Sequence, residues 1–166
     1  LQQTLERVAS TSAKKFFRKN GYFLSDKPIC VGSEMHRYQI QDDAESIGIP
    51  VNCIFEPFSR NTTAAMAVTA CYKATEKSDL LVFCPSDHYV QDTMDYLRSL
   101  LAGFDSIRSP EEILTLGVRP TFGSTAYGYI EIEDTFPESC VYSVKKFIEK
   151  PCEEIANSLW RKKNIF

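Results

Sequence analysis

Leu80-Leu81-Val82-Phe83-Cys84-Pro85-Ser86-Asp87-His88 sets an unbroken apolar run against a polar turn. Such a run predicts a central parallel strand buried on both faces. Ligands in open α/β sheets bind at the carboxyl ends of parallel strands. Ser86, Asp87 and His88 therefore stand where a site would be built. Working outward, helix and strand signals alternate, as in an α/β protein. Leu1 to about Phe17 reads as a helix with Leu1, Leu5 and Val8 on one face, and Lys14 to Asp26 as a basic, loop-like stretch closed by Lys27-Pro28. Ile29-Cys30-Val31 and Val51–Phe55 read as strands around a helix that Ser33 caps and Gly48 ends. Asn61 to Lys77 predicts a helix with Ala64, Ala67, Val68, Cys71 and Tyr72 on its inner face and Asn61 or Thr62 as cap. Thr93 to Ile107 predicts another helix, and Ile113–Gly117 a further parallel strand. Beyond Gly117, Tyr129–Glu133 and Val141–Ile148 read as antiparallel strands with turns at Pro120-Thr121 and Phe136-Pro137-Glu138. A last helix runs from Cys152 to about Lys162.

The chain has 166 residues, 43% hydrophobic and 25% charged, with a net charge of −3. That is ordinary globular usage for one domain, 1–166, able to bury roughly 70% of its unfolded surface. A mildly acidic chain without long basic runs carries no electrostatic footprint for nucleic acid or an anionic membrane. No apolar stretch approaches the ~20 residues of a membrane span. The six cysteines show no C-x-x-C spacing, and Cys53, Cys71 and Cys84 sit in apolar runs. Buried free thiols and a cytoplasmic location are expected. The opening Leu1-Gln2-Gln3-Thr4-Leu5-Glu6-Arg7 reads as mid-helix, as in a fragment.

Asp87, at the mouth of an apolar strand, can hold Mg²⁺, which prefers one or two carboxylates with phosphate oxygens; it can equally cap the next turn. His88 has no second histidine nearby in sequence to make a zinc site. Glu56 offers two acceptors that match the paired N1–H and N2–H₂ donors of guanine, and alternatively pairs with Arg60. The helix start near Asn61 presents free backbone N–H groups. Glu149 and Lys150 point to opposite faces of an extended strand, so both reach one ligand only if the strand end twists or bulges at Pro151. Gly128, between Tyr127 and Tyr129, marks either close approach of backbone to a ligand or a turn.

The ordered set Glu56-Pro57-x-x-Arg60-Asn61-Thr62, Pro85-Ser86-Asp87-His88, Gly117-Val118-x-Pro120-Thr121, Tyr127-Gly128-Tyr129-Ile130 and Phe147-Ile148-Glu149-Lys150-Pro151 resembles the mannose-1-phosphate guanylyltransferase (GDP-mannose pyrophosphorylase) family. The likeness is to the bacterial form often fused to a mannose-6-phosphate isomerase. The resemblance implies a Rossmann-like nucleotidyltransferase fold with a mixed, mainly parallel sheet, here lacking its first β-α unit. It implies transfer of GMP from GTP to mannose 1-phosphate, giving GDP-mannose and pyrophosphate, with Mg²⁺ as cofactor. By the same resemblance Asp87 holds the metal, and Asp87 and Lys150 are catalytic, Lys150 facing the sugar phosphate. Glu56, Arg60, Asn61, Thr62 and Ser86 bind nucleotide; Gly128, Tyr127 and Glu149 bind the sugar. The family's Gly-rich phosphate loop, its Trp-Asn-Ser-Gly segment and a second metal aspartate have no match in the sequence. Thr63-Ala64-Ala65 stands where a Pro is usual, Ala126 where a Gly is usual, and Ser124 near a usual Glu. The isolated chain is therefore expected to lack turnover. The alternative is a non-catalytic nucleotide-sugar binding or regulatory module completed by another chain. An unprotected sheet edge leads to the expectation of a homo-oligomer.

Overall fold

The computed structural model describes residues 1–58, 61–73, 80–133 and 140–166. They form two compact units, Leu1–Leu97 and Arg98–Phe166.

The first unit opens with two helices rather than the single one predicted, α1 (Gln2–Ala9) and α2 (Thr11–Lys19). Ser10 separates them with an extended backbone (φ −63°, ψ 161°), and its Oγ accepts from the Ala13 amide. A serine whose oxygen satisfies a free helix N–H favours starting a new helix over continuing the old one. The basic stretch read as a loop is thus helical as far as Lys19.

Strand β1 (Ile29–Ser33) pairs in parallel with β2 (Asn52–Glu56), with Cys30 opposite Cys53 and Ser33 opposite Glu56. The crossover follows the sequence signals. Ser33 Oγ accepts from the Met35 amide to open a 3₁₀ turn, Glu34–His36, which runs into α3 (Arg37–Ser46). Gly48 then turns the chain at φ +66°. Leu5, Cys30 and Ala44 form the core here, with Ile40, Ile47 and Val51 packed on it. Each such aliphatic side chain contributes about 1.5–3 kcal/mol when fully buried. A Cβ on Gly32 would lie 2.6 Å from Ile40 Cδ1, so a bare backbone lets α3 approach β1.

Helix α4 (Asn61–Lys73) forms as predicted, its expected continuation to Lys77 lying outside the described residues. Its orientation is corrected. Ala67, Val68, Cys71 and Tyr72 are exposed, and Thr69 is buried with its hydroxyl donating to the Ala65 carbonyl. Small residues all round the helix leave periodicity without a dominant face to mark, and Thr69 satisfies its own polar group.

The expected central strand Leu80–Cys84 is also corrected. These residues belong to no ladder among the described residues, and Leu80 to Phe83 are 38–43% exposed. An apolar run records a preference for burial, but a strand also needs a hydrogen-bonded neighbour. Here Cys84 Sγ meets the Tyr96 hydroxyl at 3.1 Å, and the next turn is held by side chains of α1.

The division between the units falls within α5 (Thr93–Ser106). In the second unit Ile113–Gly117 is likewise not a strand, with Ile113 93% exposed. Leu114 packs against Gly103 of α5, where a Cβ would lie 2.9 Å from its Cδ2, and Gly117 lies under the Phe166 ring. Side-chain packing replaces the ladder.

Strand β3 (Tyr129–Ile132) pairs antiparallel with β4 (Val144–Ile148), Tyr129 opposite Ile148, with an irregularity at Glu131/Ile132. The expected turn at 136–138 lies outside the described residues. The tail forms the other edge of β3: Ile130 and Phe166 exchange backbone hydrogen bonds at 2.7 and 2.9 Å. Helix α6 (Glu153–Leu159) packs Ala156 and Leu159 on Tyr129 and Ile165, and Ile165 is fully buried. Among the described residues no helix is long and apolar enough to cross a membrane.

All six cysteines are free, but only Cys30 is buried; Cys71, Cys140 and Cys152 are exposed. Burial, aided by the Cys53 thiol alongside, pushes Cys30 from 9.0 up to about 11. At pH 8, iodoacetamide with mass-spectrometric readout should label the three exposed thiols at least ~10-fold faster than Cys30. Because the folded value is raised, the neutral thiol's contribution to stability is full below pH 9 and is lost as pH rises through 11. Rapid labelling of Cys30 at pH 8 would contradict this packing.

Candidate functional site

In the first unit, Glu56 ends β2 at the carboxyl end of the parallel pair and is half-buried. Asn61 and Thr62 follow as the exposed start of α4, and Asn61 is left-handed at φ 65°. Asparagine tolerates that region better than most residues, so α4 opens on it without a glycine. Arg60 lies outside the described residues.

Ser86 and Asp87 form an exposed turn after the Leu80–Cys84 run. They border a hollow of about 320 Å³ shared with Gln2, Thr4, Asp43 and His88. Gln2 Nε2 donates to Asp43 Oδ1 at 3.1 Å and to Ser46 Oγ at 2.9 Å, tying α1 to α3. Two carboxylates, Asp43 and Asp87, thus line one hollow. No group of three or more His, Cys, Asp or Glu arranged for a metal occurs among the described residues. The donor set fits a hard cation that brings water or phosphate oxygens with it, as Mg²⁺ does, rather than a closed protein cage.

The turn is held from α1. Thr4 Oγ1 donates to the Ser86 carbonyl at 3.2 Å, with the Pro85 carbonyl at 3.5 Å. Arg7 Nη1 donates to the His88 carbonyl at 3.3 Å, and Nη2 to Thr4 Oγ1 at 3.1 Å. The Arg7 guanidinium lies 5.1 Å from the centroid of the Tyr96 ring. Burial, with the Cys84 contact, pushes the Tyr96 hydroxyl well above the ordinary tyrosine range. Hydrophobic periodicity gives no hint of Thr4 or Arg7, because both are polar residues buried beside the apolar face. Asp43 carries no signal for a related reason: beside Asp42 in a polar run it reads as a solvated carboxylate, whereas it is half-buried.

In the second unit Gly128, Glu149 and Lys150 come together. Pairing of Tyr129 with Ile148 sets Gly128 beside Glu149, so that a Cβ on Gly128 would lie 2.8 Å from Glu149 Oε2. Lys150 takes φ 37°, and its Nζ reaches 3.8 Å from Glu149 Oε1. The left-handed kink at Lys150, the residue before Pro151, supplies the turn that brings neighbouring side chains to one side. Both side chains are open to solvent, 77% for Glu149 and 64% for Lys150. Tyr127 is exposed. Tyr129 is buried, its hydroxyl donating to the Ser124 carbonyl at 2.9 Å and accepting from the Ser124 amide at 2.7 Å, which shapes the 124–128 loop.

The family described as Nucleotidyl transferase matches residues 21–163. A mannose-1-phosphate guanylyltransferase of Sinorhizobium fredii is 33% identical over 99% of this chain and 30% of its own length. The mannose-1-phosphate guanylyltransferase RfbM of Salmonella typhimurium is 27% identical over 97% of the chain and 32% of its own. The alginate biosynthesis protein AlgA of Pseudomonas aeruginosa is 30% identical over 92% of the chain and 30% of its own. The chain thus spans about 30% of the length of these curated relatives. No solved structure matches it.

A left-handed non-glycine residue costs about 1–2 kcal/mol, partly offset in glycine by chain entropy. Lys150→Gly should therefore leave urea stability unchanged or raise it by about 1 kcal/mol, while Lys150→Val should lose ~1 kcal/mol or more. A Lys150→Gly variant clearly less stable than the parent would show that the kink is not strained.

Proposed function

The chain belongs to the nucleotidyl transferase family and has an α/β nucleotidyltransferase fold, and on that premise we propose that it serves mannose-1-phosphate guanylyl transfer. In this reaction a phosphate oxygen of mannose 1-phosphate attacks the α-phosphorus of GTP. The bond from that phosphorus to the bridging oxygen breaks, and pyrophosphate leaves as GDP-mannose forms. The carrying observation is the arrangement of Glu149, Lys150 and Gly128. A sugar phosphate presents hydroxyl donors and a dianion a few ångströms apart. Glu149 accepts from hydroxyls, and Lys150 faces the phosphate as a point charge. Gly128 makes room for the Glu149 carboxylate, since a Cβ there would lie 2.8 Å from its Oε2. Relatives named as mannose-1-phosphate guanylyltransferases over nearly the whole chain support the choice of substrate.

Glu56 would take the N1–H and N2–H₂ donors of guanine, and the free N–H groups at the start of α4 would meet carbonyl or phosphate oxygens. Ser86 would line the nucleotide beside Asp87. Mg²⁺ held by Asp87, with Asp43 on the same hollow, would supply neutralisation of phosphate charge. The chain's own part is positioning, which governs phosphoryl-type transfers that need little covalent help from protein groups. With no Gly-rich phosphate loop in its 166 residues, the chain alone should bind ligand without measurable turnover, each missing stabiliser costing ~10²–10³ in rate.

Base selectivity tests the proposal. GDP should outcompete ADP in fluorescence competition, because adenine offers an acceptor where guanine offers N1–H. Glu56→Gln, which trades one acceptor for a donor, should shrink that preference by about 1–3 kcal/mol. Equal binding of GDP and ADP, or an unchanged preference in Glu56→Gln, would remove Glu56 from the base site.

A further inference from the structure

Arg7 and Thr4 are 6% and 5% exposed, on a helix with no part in the reaction described above. A buried guanidinium loses several kcal/mol of hydration and is ordinarily matched by a carboxylate. Among the described residues no carboxylate pairs with Arg7, and its Nε has no hydrogen-bond partner. What Arg7 does hold is backbone. Its Nη1 reaches the carbonyl of His88, and its Nη2 reaches Thr4 Oγ1, which in turn donates to the carbonyl of Ser86. The two carbonyls flanking Asp87 are thus gripped by one linked pair of side chains.

We propose that Thr4 and Arg7 are positioning residues for Asp87: the Arg7–Thr4 pair fixes the carbonyls on either side of it and so sets where its carboxylate meets a divalent cation. The proposal rests on the reading of Asp87 as a cation ligand. The turn has no ladder to hold it, as residues 80–89 belong to no strand. Without α1 the peptide before Asp87 and the one after His88 could rotate, and the carboxylate would sample many directions. Partners that orient a ligand in this way typically alter metal affinity by 10–100-fold when removed. The Tyr96 ring packs against the guanidinium. Methionine at position 7 would keep bulk against that ring while removing every donor.

The test is a titration of the full chain with Mn²⁺ alone, followed by water-proton relaxation, with melting temperatures for every variant. Thr4→Val and Arg7→Met should weaken Mn²⁺ about tenfold or more per folded chain, and Thr4→Ser, which keeps the hydroxyl, should restore it. Asp87→Ala should abolish the site. Wild-type affinity in Thr4→Val and Arg7→Met, together with loss in Asp87→Ala, would overturn the positioning role and leave the cation reading intact. Wild-type affinity in Asp87→Ala would overturn the cation reading and this proposal with it. Should Arg7→Met fail to fold, the contrast between Thr4→Val and Thr4→Ser decides.

Discussion

Every backbone carbonyl withdrawn from water needs a donor, and in this protein two kinds of donor meet that demand. Ladders satisfy β1 with β2, and β3 with β4 and the tail. The turn after Leu80–Cys84 has no ladder, and its carbonyls are met by Thr4 and Arg7. This pairing gives Thr4 and Arg7, the buried polar side chains of α1, their hydrogen-bond partners. It also fixes which side of α1 faces inward: Leu5 goes to the core with Cys30 and Ala44, while Thr4 and Arg7 go to the turn. The carbonyls so held are those of Ser86 and His88, the neighbours of Asp87.

The second unit reaches a comparable result with strain. A strand end that continued straight would send Glu149 and Lys150 to opposite faces. The kink at Lys150 brings them within 3.8 Å, and Pro151, buried behind it, keeps the chain from relaxing into a helix. Strain of this kind persists where the surroundings over-determine it. Here the surroundings are the β3–β4 ladder on one side and α6, with Ala156 and Leu159 in the core, on the other. Gly128 completes the arrangement by occupying no space under the Glu149 carboxylate.

The parallel pair with its crossover, the antiparallel pair and the terminal helix were legible in the sequence, because local signals mark them, such as Ser33 as cap and Gly48 as stop. The two strands at Leu80–Cys84 and Ile113–Gly117 were not, because apolar runs report a wish for burial and say nothing about partners. Side-chain contacts hold those segments instead, Tyr96 with Cys84 and Leu114 with Gly103. The inner face of α4 was misread since its small residues look alike on all sides. Of the candidate site, the motif positions were legible one by one. What brings Glu149 and Lys150 to one side was not, because a single backbone angle at Lys150 decides it. Thr4 and Arg7 carried no signal, since their role is to satisfy carbonyls far along the chain.

The binding place for a sugar phosphate proposed at Gly128, Glu149 and Lys150 can be probed by titrating mannose 1-phosphate into the ¹⁵N-labelled chain and following its amide resonances. Saturable shifts should centre on Gly128, Glu149 and Lys150, with much smaller shifts from mannose or from inorganic phosphate alone, because the carboxylate and the ammonium act on different ends of one ligand. Absence of shifts at these three residues, or equal shifts from inorganic phosphate, would contradict it.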